Sequence, residues 1–276
     1  MNDEMVLEYL SLLGCTDKRA VSVENLTALQ RAHLERVPYN NFEILSGVVP
    51  GLDEGRLFDK IVRRRQGGYC FELNGLYAEL LRKLGYPVKE YFARWHFGGS
   101  EAVPGRRHRI IEVQLGGKTF ITDVSIGSAG SVIPFEFVLE TVQDRAVRPY
   151  RFVEDETLGI LLQAQTDQGW VPYYSFTRDP HFPRDFEYVN FYCAQHPESI
   201  FRTKVFMHRQ TEKEQFYIED LQQPGIPLHF CIRRSKTDME KIPVIGKEQM
   251  AQILNEHFFI SCEPEELTYI PNLGER

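Results

Sequence analysis

Apolar residues in the segment 70–84 recur at spacings of three and four: Leu73, Leu76, Tyr77, Leu80, Leu81 and Leu84. This period predicts an amphipathic helix from Cys70 to Leu84. Gly85 supplies a stop signal, and Pro87 prevents continuation of the helix. Gly67 and Gly68 precede the helix, so the backbone there is able to approach a ligand closely. The pattern therefore places a cysteine at a helix N-terminus.

The hydrophobic period divides the chain into three regions. Residues 1–86 show helical spacing, with Ser22 as a candidate N-cap and Pro38 as a helix end. From Val88 the period becomes two, and short apolar segments separated by polar turns predict strands at Val88–Trp95, Val147–Phe152, Leu158–Ala164 and Trp170–Phe176. Short strands at this spacing favour a small antiparallel barrel.

A third region begins near Asp185. It predicts a helix through Cys193, a hairpin of Phe201–His208 with Gln215–Ile218, and a closing helix after Gly246. The sequence thus predicts an α+β multi-domain fold. Its parts are a helical bundle domain over 1–86, an antiparallel β-barrel domain over 87–184 and an α/β lid domain over 185–276.

Two further polar residues lie on a predicted β-hairpin, formed by His108–Leu115 and Lys118–Val124 around Gly116-Gly117. A two-residue Gly-Gly loop suits a type I′ turn, and pairing Leu115 with Lys118 fixes the register. His108 and Asp123 then project from one face as diagonal neighbours, roughly 7–8 Å apart at the backbone. The hairpin therefore predicts an imidazole beside a carboxylate.

These residue types suggest nucleophilic chemistry. At a helix N-terminus the macrodipole favours the thiolate of Cys70, which is the form that attacks a carbonyl carbon. A carboxylate beside His108 would fix the imidazole tautomer and stabilise the imidazolium. Spacing alone leaves open the plainer interpretation, in which Cys70 is a buried core cysteine and the His and Asp have no joint role.

Composition narrows the classes of partner. The chain has 276 residues with 42% hydrophobic content, a formal net charge of −7 and a pI near 5.7. Nucleic acid is not expected as a main partner, because phosphate binding normally needs a basic face. Arg63-Arg64-Arg65 is the basic run, which is interpreted as a solvated helix face or as an attraction for phosphates.

Cysteine usage and the N-terminus suggest a reduced, cytoplasmic protein. The five cysteines are scattered and form no C-x-x-C pair, so we expect free thiols and no metal site. The first residues lack the basic start and apolar core of a signal peptide. No stretch approaches the roughly 20 apolar residues of a membrane span, so no membrane partner is expected.

Taken together, the motifs carry a family resemblance. The chain reads Gly-Gly-Tyr-Cys-Phe-Glu-Leu-Asn from Gly67, then a histidine opens an apolar strand, and Asp-Val-Ser-Ile-Gly closes the hairpin. This pattern resembles the arylamine N-acetyltransferase family. Val37-Pro38-Tyr39-Asn40-Asn41 is similar to that family's Pro-Phe-Glu-Asn segment, and Asn190 with Ser199-Ile200-Phe201 is similar to its later Asn and Ser-x-Phe positions.

The resemblance implies a papain-like triad of Cys70, His108 and Asp123 at a junction between the first and second domains. It implies ping-pong chemistry, with acetyl-CoA as acyl donor and an aromatic amine or hydrazine as acceptor. Donor and acceptor would bind at the loops 97–105 and 125–132, which flank the hairpin. The substrate contacts implied are Tyr39, Phe71, Gly105, Ile126, Gly127 and Phe201.

The chain also departs from the family pattern. Ile126 stands where many members have an aromatic residue, and Arg107 stands where a small hydroxylated residue is usual. Asn40 and Gln66 stand where the family usually has Glu and Arg. We expect the side chains of these two residues to hydrogen-bond to each other beneath the nucleophile, which avoids the desolvation cost of burying two charges.

Two other functions remain open from the sequence. A triad of this order also suits a different papain-like enzyme, such as a protease, a transglutaminase or an amide synthase, because the triad specifies acyl transfer and not the substrate. The chain could instead be a non-catalytic protein that binds the coenzyme. Acetylation of Cys70 by acetyl-CoA distinguishes these functions.

Overall fold

The first part of the chain is helical, as predicted. The structure is a computed structural model that describes residues 1–98, 103–127, 130–223 and 225–273. Its N-terminal elements are α1 (Asp3–Leu13), α2 (Val23–Arg36), the two-residue strand β1 (Tyr39–Asn40), α3 (Phe42–Leu45), α4 (Glu54–Phe58), a one-turn π-helix (Asp59–Arg63) and α5 (Cys70–Leu84). Ser22 caps α2 by accepting a hydrogen bond from the Asn25 amide at 3.1 Å.

Helix α5 is the centre of the first hydrophobic core. It begins at Cys70 and ends at Leu84, which confirms the predicted bounds, and Gly85 follows in the left-handed conformation. Leu73, Leu76 and Leu80 are fully buried in a cluster that also contains residues of α1 and α2. Because α5 is packed on nearly every side, the position of its first residue is fixed by the core.

A curled antiparallel sheet follows. Its strands are β2 (Val88–Trp95), β3 (His108–Leu115), β4 (Lys118–Thr122), β5 (Phe135–Glu136), β6 (Tyr150–Asp155), β7 (Gly159–Thr166) and β8 (Gly169–Phe176), in the order β5-β4-β3-β2-β8-β7-β6. Isolated bridges from Leu139 to Phe152 and from Gln143 to Tyr150 link the segment after β5 to β6. These bridges draw the two edges of the sheet together.

The hairpin register is the one expected from the Gly-Gly turn. Leu115 lies opposite Lys118, and Ile111 lies opposite Thr122. Strand β4 ends at Thr122, two residues earlier than predicted, so Asp123 lies just beyond the ladder. Strand β6 begins at Tyr150 rather than at residue 147, since Pro149 has no N–H to donate to a ladder.

A second sheet joins the two ends of the chain. Its order is β1, β9 (Met207–Gln210), β10 (Gln215–Glu219), β11 (His229–Arg233) and β12 (Met239–Pro243), and α6 (Asp185–Gln195) and α7 (Gly246–Phe258) flank these strands in sequence. Tyr39 of β1 lies opposite His208 of β9, a pairing that sequence analysis did not predict. The strand expected from Phe201 begins only at Met207, because residues 200–202 form a 3-10 turn.

No helix in the described ranges is long and apolar enough to cross a membrane.

Candidate active site

A tight turn delivers Cys70 to the first position of α5. Gly67 has φ +64°, and a Cβ atom at this position would lie 2.1 Å from the Pro38 carbonyl oxygen, so only glycine fits. The Tyr69 amide, directly before Cys70, donates to Glu72 Oε2 at 3.1 Å. The turn and this capping contact together set the direction in which the sulfur points.

Cys70 lies deep in the structure, with 2% of its surface exposed. Its Sγ is 3.6 Å from the carbonyl oxygen of Arg107, beside the first residue of β3. Burial raises the pKa of the Cys70 thiol well above its ordinary value, and the charges of Cys193 and Asp123 act in the same direction. Hydrogen bonds with the main chain of Phe71 and Arg109 oppose this shift but do not cancel it.

Burial thus acts against the helix N-terminus, which sequence analysis expected to favour the thiolate. His108 is the titratable side chain that begins β3, one residue after the carbonyl that Cys70 contacts.

His108 and Asp123 meet as predicted. Nε2 of His108 lies 2.6 Å from Oδ2 of Asp123, and both side chains are buried. Burial alone would raise the pKa of Asp123, but the contact with His108 and hydrogen bonds from Asn74 and Ser125 hold this pKa below its ordinary value. The ionised carboxylate therefore accepts the Nε2 proton, which leaves Nδ1 as the basic nitrogen of neutral His108.

Asn74 is a site residue that sequence analysis missed. Its Nδ2 lies 2.7 Å from Oδ1 of Asp123, 2.8 Å from Oγ of Ser125 and 2.6 Å from the Arg109 carbonyl oxygen. Its Oδ1 accepts the Val124 amide proton at 2.9 Å. The sequence spacing could have pointed to Asn74, because residues four apart on a helix share a face and Asn74 is four residues after Cys70.

Aromatic rings surround the triad. Trp95 packs edge-on against His108, with ring centroids 5.3 Å apart. Tyr39 is stacked on His208 at 4.4 Å with an interplanar angle of 13°. Burial lowers the pKa of His208 to about 4, while the Ile126 main chain and the charge of Asp123 act to raise it. Trp95 and His208 were not predicted from the sequence.

The remaining predicted substrate contacts differ in how deeply their side chains are buried. Phe201 packs on the ring of Tyr69, with 5.7 Å between ring centroids. Tyr69 belongs to the turn 66–69 that leads into Cys70, hereafter the nucleophile turn. The ring of Phe71 is fully buried against Phe92 and Phe186, and its main chain hydrogen-bonds with Cys70. Ile126 is also fully buried, with its side chain against Gly130.

Gly105 and Gly127 lie in the two loops that were expected to bind substrates. The Gly105 carbonyl accepts the Arg107 amide proton at 2.9 Å, and the Gly127 carbonyl accepts the Gly130 amide proton at 2.9 Å. Residues 99–102 and 128–129 of these loops lie outside the described residues. Within the described ranges, no group of three His, Cys, Asp or Glu residues is placed to hold a metal ion.

Asn40 and Gln66 are neighbours, but not in the way expected. Asn40 Nδ2 donates to the main-chain carbonyl of Gln66 at 2.8 Å, and Asn40 Oδ1 accepts the Phe42 amide proton. The side-chain pair expected from the sequence is wrong, because Asn40 satisfies the main chain of the turn instead. The Gln66 side chain is not part of that contact.

A cationic cleft of about 830 Å³ lies beside the second loop. It is lined by residues 130–133, by seven cationic side chains and by four acidic ones, so cations outnumber carboxylates. The cations are Arg31, Arg145, Arg148, Lys213, Arg233, Arg234 and Lys236, and the carboxylates are Asp144, Asp167, Glu212 and Glu214. The Nε atoms of Arg31, Arg145 and Arg148 are buried without a hydrogen-bond partner in the described part of the chain. The predicted basic run lies elsewhere, with Arg63 paired to Glu8 and Arg64 to Asp59.

The chain is similar to known proteins along most of its length. Residues 22–267 match a family model described as N-acetyltransferase. The arylamine N-acetyltransferase of Mycobacterium bovis is 34% identical over 201 residues, which cover 71% of this chain and 70% of that protein.

Solved structures of the same family share the whole fold. The arylamine N-acetyltransferase of Salmonella typhimurium superposes with a TM-score of 0.87 at 26% identity and covers 97% of both chains. The Mycobacterium marinum arylamine N-acetyltransferase in complex with CoA superposes with a TM-score of 0.82 at 26% identity, covering 95% of this chain and 96% of that one. With its nucleophile turn, its buried His–Asp pair and this similarity over nearly the full length, the chain belongs to the arylamine N-acetyltransferase family.

Proposed function

We propose that the protein transfers an acetyl group from acetyl-CoA to the nitrogen of an aromatic amine or hydrazine through a thioester on Cys70. The single observation that carries this proposal is the buried His108–Asp123 hydrogen bond of 2.6 Å, in which His108 directly follows the Arg107 carbonyl that the Cys70 sulfur contacts. That arrangement fits a cysteine nucleophile with an oriented base.

In the first half-reaction, Nδ1 of His108 accepts the thiol proton as the Cys70 sulfur attacks the thioester carbonyl of acetyl-CoA. Asp123 holds the opposite nitrogen and stabilises the imidazolium that forms. The C–S bond to the coenzyme then breaks, and His108 returns the proton to the departing coenzyme thiolate. One thioester replaces another, so the protein supplies positioning and proton transfer rather than driving force.

In the second half-reaction, the amine nitrogen attacks the acetyl carbon on Cys70. His108 accepts the proton that the amine loses, the bond to Cys70 sulfur breaks, and the thiolate regains that proton. The Phe71 main chain, which hydrogen-bonds with the Cys70 sulfur, is where we place a donor for the oxyanion. Tyr39 and Phe201 are the apolar contacts that we assign to the acceptor.

We place the anionic end of the coenzyme in the cationic cleft. Three buried Nε atoms without hydrogen-bond partners in the described ranges favour an anion there, because an unpaired buried donor is costly. Aromatic contacts run from the cleft toward the triad: Arg148 lies 4.9 Å from the centre of the Phe97 ring, and Phe97 and Trp95 both pack on Tyr173.

The test is mass spectrometry of the protein mixed with acetyl-CoA. We expect the mass gain of one acetyl group on Cys70, and its removal with formation of acetylated product when 4-aminobenzoate or isoniazid is added. Cys70→Ser should gain nothing, and its thermal melt should show that it is folded. A parent protein that binds CoA but is never acetylated would support the non-catalytic alternative, and an acetyl-enzyme that passes its group only to other nucleophiles would point to another acyltransferase.

A further inference from the structure

The most deeply buried lysine in the described ranges lies beneath the nucleophile turn. Lys60 is 5% exposed, and it is held in the one-turn π-helix Asp59–Arg63. Its Nζ is 2.7 Å from Oε1 of Glu72 and 2.8 Å from Oε2 of Glu43. Burying an ammonium group is costly, and single-turn π-helices occur frequently at functional sites, so the position of Lys60 calls for an explanation.

Lys60 holds the turn on both sides. Before the turn, its main-chain carbonyl accepts the Gln66 amide proton at 3.0 Å. After the turn, its ammonium group binds Glu72, whose other oxygen accepts the Tyr69 amide proton at 3.1 Å. Only Gly67 and Gly68 lie between these two anchored residues, and Cys70 follows Tyr69 directly.

The two carboxylates that contact Lys60 differ in what they do. The Glu72 side chain is 2% exposed and binds the turn, whereas the Glu43 side chain is 32% exposed. Cavities of about 300 and 320 Å³ adjoin the pair, and both are lined by Glu43 and Lys60. Loss of Glu43 can therefore be offset by water, but a charged Glu72 without Lys60 would be a buried, unpaired charge.

We propose that Lys60 is a positioning residue for the nucleophile: it holds the Glu72 carboxylate on the Tyr69 amide and so fixes the direction of the Cys70 side chain. Lys60 does not touch substrate. Without it, Glu72 either takes up a proton or moves toward water in the adjoining cavities, and the capping contact loosens. The inference rests on the proposed role of Cys70 as the acetylated nucleophile.

The test compares Lys60→Met, Lys60→Met/Glu72→Gln and Glu43→Gln by single-turnover acetylation of Cys70 with acetyl-CoA. Lys60→Met should slow acetylation about 10- to 100-fold, the size of loss that a misplaced reacting group produces, with an unchanged KM for acetyl-CoA. In the double variant, the side-chain amide that replaces the Glu72 carboxylate is neutral yet still accepts the Tyr69 proton, so the rate should return to within about threefold of the parent. Glu43→Gln, the matched control, should stay near the parent rate.

The proposal is overturned if Lys60→Met acetylates at the parent rate, if the double variant is no faster than Lys60→Met, or if Glu43→Gln is equally slow. If Lys60→Met does not fold, Lys60→Arg and Lys60→Gln are compared instead. Only Lys60→Arg keeps the cation that binds Glu72, so it should acetylate at least about tenfold faster than Lys60→Gln; equal rates contradict the proposal. Alkylation of Cys70 by iodoacetamide should follow the same order, and it separates failure of positioning from failure of the proposed function, since it requires no coenzyme.

Discussion

The polar side chains around the triad are buried, and they hydrogen-bond to one another. Asp123 receives hydrogen bonds on both oxygens: Oδ2 from His108 and Oδ1 from Asn74 and from the amide and hydroxyl of Ser125. A carboxylate with this many donors is held in one orientation, and it in turn selects the tautomer of His108. The chemistry of the site therefore depends on residues that touch no substrate.

Asp123→Asn should inactivate the enzyme without unfolding it. The donors that surround Oδ1 will keep the amide oxygen on their side, so the amide NH₂ will face Nε2 of His108. His108 must then carry its proton on Nδ1, where it cannot act as the base. We expect kcat to fall about 10³- to 10⁴-fold, as for other triads with the wrong tautomer.

The control for that variant is Ser125→Ala. It removes one donor to the same carboxylate but leaves the tautomer unchanged, so the loss should stay within about tenfold. Activities are measured by release of free coenzyme, and melting curves confirm that both variants are folded. Equal activity of the two variants would show that Asp123 does not act through the His108 tautomer.

At this scale, sequence analysis singled out the three residues of the proposed triad and missed the side chains that support them. It brought Cys70, His108 and Asp123 into view because a helix start and a two-residue turn have fixed geometry. Asn74 and His208 were missed because their roles come from contacts across the fold: Asn74 joins α5 to the end of β4, and His208 is stacked on a strand from the other end of the chain. The expectation for the pKa of the Cys70 thiol left out the effect of burial, because sequence does not show which residues are buried.

At the scale of elements, helices and strands with a regular hydrophobic period were predicted well, whereas short elements without such a period were not predicted. The bounds of α5 and the pairing of Leu115 with Lys118 followed from local signals. The π-helix and the two-residue β1 have no period to detect, yet they hold Lys60 and Tyr39 in place. The nucleophile turn lies between the two kinds of element, because it joins the irregular π-helix to the regular helix α5.

Gly67→Ala tests how tightly that turn is built. The residue has φ +64°, and an added Cβ would lie 2.1 Å from the Pro38 carbonyl oxygen, which is main chain and cannot rotate away. Gly116→Ala is a matched control, because it has φ +56° but nothing within 4 Å of the added atom. The control should cost about 1–2 kcal/mol in the free energy of unfolding, from left-handed backbone strain alone.

Gly67→Ala should cost more than the control, by at least about 2 kcal/mol, because the clash adds to the same strain. Urea midpoints of both variants give the comparison. Acetylation of Cys70 should also slow in Gly67→Ala, while Gly116→Ala, at the far end of the hairpin, should leave it unchanged. Equal midpoint shifts would mean that the Pro38 contact relaxes freely.

Over the whole molecule, the two sheets and α5 meet around one site. The curled sheet carries His108, α5 carries Cys70, and the second sheet carries Tyr39 and His208. Because β1 pairs with β9, the N-terminal helical region contributes a strand to the C-terminal sheet. We propose that the predicted domains 1–86, 87–184 and 185–276 are not fully separate bodies, because the first domain contributes β1 to the sheet of the third.

The packing of this assembly keeps two histidines in the neutral form, the buried His33 and the half-buried His208. His33 is fully buried, with Nε2 2.7 Å from the Tyr9 hydroxyl, and burial lowers its pKa to about 3. The hydrogen bond to Tyr9 gives this buried imidazole a structural role. Burial also lowers the pKa of His208 to about 4.

Both histidines should make the protein less stable as the pH falls from 7 to 5.5. In the unfolded chain each imidazole binds a proton near pH 6.5, whereas the folded chain binds it only near 3 or 4. Between these values the unfolded state holds more protons, so acidification favours unfolding. Over this window each histidine should remove about 1 kcal/mol from the free energy of unfolding.

The measurement is a set of urea unfolding curves at pH 7 and 5.5 for the parent, His33→Phe and His208→Phe. Each variant will have its own stability at pH 7, because Tyr9 loses its hydrogen-bond partner in one and the Tyr39 stack changes in the other. The informative quantity is the difference between the two pH values, which should shrink by about 1 kcal/mol in each variant. Because the two side chains make their contacts in different parts of the fold, the double variant should lose both contributions additively. If the difference between the two pH values is the same in both variants as in the parent, these imidazoles take up protons as readily in the folded state as in the unfolded chain.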